Sequence, residues 1–221
     1  MKMSRVLLSI AAFSFSAIAY AAYDNTWYQT EFWSGEYPNG ISIVAEGVAL
    51  PARAAMDLDQ PVTIECELPY KAVFHPWNQA RAARYYTAAK IVPLTAKEDL
   101  TLGFEGEEQV EVAAGDLIEY LVYGAEGSFL VRYKGKEYTA DQSLLEKVSY
   151  DEQKMEAPQD EWLNVTCVGG ENAWIFLRDV VTVDRDGNSV YPQGVDSWFR
   201  GFREYGVVTD LTDADLGQQK P

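Results

Sequence analysis

The one histidine of the chain, His75, lies in FHPWN between Phe74 and Pro76. An imidazole titrates near neutrality and ligates metals, so His75 is the side chain best suited to general-base or metal-binding work. A lone histidine serves a catalytic triad only if a nucleophile and a carboxylate reach it in space, and the sequence contains no G-x-S-x-G elbow. The nearest thiol is Cys66, but the alternation of VTIECEL turns it to the same face as Val62, Ile64 and Leu68, where a thiolate would be buried. These facts favour a structural histidine in an aromatic turn over a catalytic one.

Carboxylates are plentiful. Glu65 and Glu67 share the outer face of one strand at a separation of about 7 Å, within the range used by glycosidase pairs, but any acidic strand shows the same and a solvated face is the simpler reading. DRDGNS, residues 184–189, resembles the opening of a calcium loop. Its glycine stands at the fourth position instead of the sixth, and the twelfth is Val195, so a hairpin turn is expected. No catalytic residue, metal site or cofactor is called for by these motifs.

Recognition chemistry is better represented. FHPWNQARAARYY gathers His75, Trp77, Arg81, Arg84 and Tyr85, and SWFRGFREYG gathers Trp198, Arg200 and Arg203. Aromatic faces stack on sugar rings or peptide groups, and guanidinium forks grip carboxylates, so His75, Trp77, Arg81, Arg84, Tyr85, Trp198 and Arg203 form the candidate ligand-binding set. The alternative is packing, because large aromatics near Pro and Gly seal the ends of small barrels.

The elements that must position these groups read as strands. ISIVAEGVAL and PVTIECEL form an expected strand pair. From Thr95 a meander follows, DLTLGF, QVEVAA, DLIEYLVYG, SFLVRYKG and KEYTA, then WLNVTC with AWIFLRDV and VVTVD with NSVYP, separated by glycine-containing turns. NQARAARYYTAAK admits a helix capped by Asn78, and ARYYTAAKIV equally a strand. The expected fold is mainly β, one or two small antiparallel barrels with at most one or two short helices. It divides into a signal peptide at 1–21, a β-rich region at 22–94, a barrel-like domain at 95–206 and an acidic tail at 207–221, whose last dozen residues are expected to fray.

The leader has the three parts of a secretory signal: Lys2 and Arg5, an apolar run from Val6 to Ile18 too short to span a bilayer, and small residues placing cleavage near Ala21. A periplasmic or secreted, unanchored chain is expected. Its two cysteines, Cys66 and Cys167, are outside any C-x-x-C motif and both point to apolar faces, which allows one disulfide or two buried thiols. The net charge of −16, about −18 without the leader, disfavours nucleic acid and anionic membrane surfaces as partners.

The segment from about Val110 to Val183, through GDLIEYLVYGAEGSFLVRYKGKEY and WLNVTCVGGENAWIFLRDV, is similar to bacterial Src-homology-3-like barrels of exported proteins. The resemblance implies a non-enzymatic binding or scaffold module of the cell envelope, whose partner would be a cell-wall peptide, a glycan or an envelope protein. The charged SYDEQKMEAPQDE and everything before residue 95 depart from that pattern. A hydrolase centred on His75 and a subunit of an envelope assembly are the other readings.

Overall fold

The structure is a computed structural model and describes residues 23–31, 33, 35, 39–78, 83–104, 106–155, 159–204 and 206–217. The expected leader and its cleavage point lie outside the described residues, as does Arg81. Among those described, no helix is long and apolar enough to cross a membrane.

The chain is mainly β. A four-stranded antiparallel sheet runs in the order Trp27–Thr30, Arg84–Lys90, Asp160–Thr166, Asn172–Phe176. A five-stranded antiparallel sheet runs Lys136–Asp141, Ser128–Tyr133, Leu117–Tyr123, Val92–Ala96, Val148–Ser149. Among the described residues, neither sheet closes on itself. The strands Arg84–Lys90 and Val92–Ala96 are separated only by Ile91, whose N–H donates to the Thr26 carbonyl, so one ribbon passes from the first sheet into the second.

That ribbon corrects the helical alternative for NQARAARYYTAAK. Its described part is a strand, because Tyr85, Tyr86 and Thr87 suit a pleated surface and both edges find partners: Trp27–Thr30 on one side and Asp160–Asn164 on the other. Of the expected pair ISIVAEGVAL and PVTIECEL, Ala49–Ala52 does pair with Ile64–Glu67, while Ile41–Ile43 lies between Val73–Phe74 and Val195–Ser197. Among the described residues, four α-helices of four or five residues, Leu144–Lys147, Glu152–Met155, Leu177–Val180 and Asp213–Gly217, exceed the one or two expected. Single turns at strand ends are too short to print a 3.6-residue period on the sequence.

Two principal cores result. The first combines Ile41, Ile43, Leu50, Leu68 and Phe74 with Leu163, Val165, Ile175 and Val195. The second draws only on residues between Val92 and Met155. Residues 41–74 share the first core with residues 163–195, and the second core lies between those two stretches of chain.

Cys66 and Cys167 are bonded, with sulfurs 2.05 Å and Cα atoms 5.2 Å apart, and both are buried in the first core as the alternation requires. The disulfide fits an oxidising compartment. DRDGNS forms the expected hairpin turn: Thr182–Val183 pairs with Ser189–Val190, and Asp184 Oδ1 accepts the N–H groups of Asp186 and Asn188.

The expected fraying of the last dozen residues does not hold for 210–217. Leu211 is buried, its N–H donates to the Lys71 carbonyl, and Thr212 and Asp215 cap the final helix reciprocally, Thr212 N–H to Asp215 Oδ2 at 2.7 Å and Asp215 N–H to Thr212 Oγ1 at 3.4 Å. An apolar anchor plus a satisfied cap outweighs the acidic composition.

Candidate functional site

His75 and Pro76 open a tight turn in which the Asn78 N–H donates to the His75 carbonyl at 2.8 Å, a turn for which proline in the second position is preset. The turn bends the imidazole back, so that its Nδ1 accepts the Trp77 N–H at 3.2 Å. The ring stacks on Trp198 with centroids 3.8 Å apart and meets Trp77 edge-on at 4.9 Å. Only 1% of His75 remains exposed. Gly40 makes this closeness possible: a Cβ there would lie 2.6 Å from the Phe74 carbonyl oxygen and 2.9 Å from His75 Cδ2. The Asn78 amide finishes the turn by donating to the carbonyls of Val73 and Val208.

One edge of this turn borders an open cleft of about 640 Å³, lined also by Glu31, Trp33, Arg84, Tyr85, Asn164 and Asn172. Register explains the assembly. Asn164 stands opposite Arg84 on one side and Trp174 on the other, so Arg84, Asn164 and Trp174 form a lateral row on one face of the four-stranded sheet. Tyr86, two residues beyond Arg84, lies on the same face and meets Trp174 with ring centroids 5.0 Å apart. Tyr85 points to the opposite face and packs on the first core.

The polar groups of the cleft are organised by one another. Asn164 Nδ2 donates to Asn172 Oδ1 at 3.0 Å, and Asn172 Nδ2 returns a bond to Asn164 Oδ1 at 3.3 Å. Glu31 accepts the Tyr86 hydroxyl at 3.3 Å and sits 3.7 Å from the Arg84 guanidinium, both charged side chains being mostly exposed. Such a pair is weak, since water screens it and two long side chains must be held. The Tyr85 hydroxyl is buried without a hydrogen-bond partner, and burial pushes its ionisation well up. Burial also raises the Glu161 carboxyl, against the opposing contact of the Asn39 amide.

Of the candidate ligand-binding set, His75 and Arg84 come together on the cleft, while Tyr85 borders it but turns its side chain into the first core. Trp77 and Trp198 stand behind His75 in an aromatic cluster with Phe199 and Phe202. Arg203 is a clamp: it bonds the carbonyls of Arg200 and Phe202 and the Asp215 carboxylate, fastening the last helix. Glu65 and Glu67 lie exposed on their strand. Sequence reasoning missed Glu31, Trp33, Asn164 and Asn172. The alternation that buried Leu163 and Val165 already turned Asn164 the other way, but nothing in the sequence said that Asn164 would lie beside Arg84, 80 positions away.

Compared with protein-family models, curated proteins and solved structures, the chain matches none of them.

Proposed function

We propose that the protein is an exported, non-enzymatic binding module of the bacterial envelope that takes its ligand in the cleft between the His75 turn and the four-stranded sheet. The observation that carries this reading is the convergence of His75 and Arg84, drawn from one sequence cluster, with Trp33, Asn164 and Asn172 around an opening of about 640 Å³. That volume falls in the range of small-ligand sites, roughly 300–1,000 Å³, and the mixture of aromatic and convergent polar groups is what such sites use. The disulfide and the leader-like amino terminus support an oxidising, extracytoplasmic setting, and the Src-homology-3-like resemblance supplies the cell-wall context.

A binding role fits His75 better than proton transfer does. Its ring is sealed between Trp77 and Trp198, and Nδ1 is committed to a backbone N–H, so the imidazole holds the wall of the cleft in shape. The test is cosedimentation of the leaderless chain with purified cell-wall material. Binding that disappears in Arg84→Ala and Asn164→Ala, with no soluble fragments released, is the expected result. Release of fragments that stops in His75→Gln would replace this reading with the hydrolase.

A further inference from the structure

We infer that the ligand of this cleft is a neutral oligosaccharide that runs from the His75 turn across Asn164 to Trp174, a deduction that rests on the binding-module reading above. The first support is hydrogen-bond bookkeeping. Both N–H bonds of the Asn164 amide are spent, on Asn172 Oδ1 and the Ala173 carbonyl, and both of Asn172, on Asn164 Oδ1 and the Val165 carbonyl. An amide oxygen has two lone pairs, so each keeps an acceptor position for a ligand while neither keeps a donor. Glu31 adds a carboxylate, again acceptor only, to the lining of the same cleft, where it already faces the Tyr86 hydroxyl and Arg84. Apart from the Arg84 guanidinium, which faces Glu31, the polar groups of this wall are acceptors, which suits a ligand rich in hydroxyl or other donors.

Aromatic surface is the second support. Trp33 lines the cleft, and Trp174 and Tyr86, both only partly buried, continue it along the sheet face. A pyranose ring presents axial C–H groups on one side and hydroxyl groups around its rim, which matches an aromatic face bordered by acceptors. Competing ligand classes fit less well. Polyanions meet a chain of net charge −16, and cations meet Arg84 in the lining. A peptide added as a strand needs a free sheet edge, but the outer edge beside Trp174 is occupied: Arg53 N–H donates to the Trp174 carbonyl at 2.8 Å and Trp174 N–H to the Arg53 carbonyl at 2.9 Å.

The experiment titrates the leaderless, disulfide-bonded chain with β-1,4-linked N-acetylglucosamine and glucose oligomers at millimolar concentration, following amide resonances in ¹⁵N-resolved spectra. Shifts at Arg84, Asn164, Asn172 and Trp174, with affinity rising as the oligomer lengthens, are expected. Trp174→Leu should weaken binding about tenfold, the worth of one stacked ring. Tyr86→Leu, at a second aromatic position, keeps the test open if the first variant fails to fold. Binding of the wild-type chain to cell-wall material without any response to these oligomers would overturn the oligosaccharide inference and leave the binding module standing. Failure to bind either would overturn both.

Discussion

His75, Tyr85 and Gly40 set the shape of the cleft in different ways, and each can be tested alone. Because the His75 ring is stacked and almost fully enclosed, His75→Ala should lower unfolding stability by about 2–4 kcal/mol, as removal of a large buried side chain does. A urea titration measures this, and an unchanged midpoint would argue that the ring is not structural. Tyr85 carries the opposite expectation. Its hydroxyl is desolvated with no partner, so Tyr85→Phe should leave stability unchanged or raise it by up to about 1 kcal/mol. Gly40→Ala drives a methyl group into the Phe74 carbonyl and the His75 ring, and should cost about 1–3 kcal/mol by the same titration.

At the scale of elements, the final helix is held by charge and should answer to pH. Backbone N–H donation from Thr212, aided by Arg203, holds the Asp215 carboxyl below its ordinary value. A depressed carboxyl contributes stability above the ordinary aspartate range and loses it as pH falls through the folded-state value. Asp215→Asn should therefore loosen residues 206–217 at neutral pH, and wild type and variant should converge in acid. Hydrogen exchange of the Leu211 and Asp215 amides at the two pH values measures it, and an equal difference at both would exclude the carboxylate. Asp160 works the other way: burial raises it more than Arg178 lowers it, so its ionisation is a burden that grows as pH rises.

Period-two alternation explains how much of these elements was readable beforehand. VTIECEL and WLNVTCV placed both cysteines on buried faces, and DRDGN named its own hairpin. The ribbon through Tyr85 and Tyr86 could be settled only by the neighbours that pair with it, which come from residues 27–30 and 160–164. The same non-local pairing built the cleft row, so Arg84 was a visible candidate while its partners Asn164 and Trp174 were not. Arg203, a donor without an evident acceptor in sequence, found Asp215 through the closing turn of the chain.

Across the whole molecule, the disulfide ties the two separated stretches that make the first core. Reducing it should lower stability by about 2–5 kcal/mol, toward the upper end because the closed loop is long. Urea midpoints with and without reductant, matched by Cys66→Ser with Cys167→Ser, give the value; a shift near zero would mean that core packing alone holds the stretches together. The cysteines are 101 residues apart, and every strand of the five-stranded sheet lies between them. A chain that emerges amino end first thus has its inserted body complete while Cys66 still lacks a mate. Until residue 167 is in place that sulfur remains a free, oxidisable thiol, so a molecule truncated before that point carries a chemical mark of incompleteness that the finished one has erased.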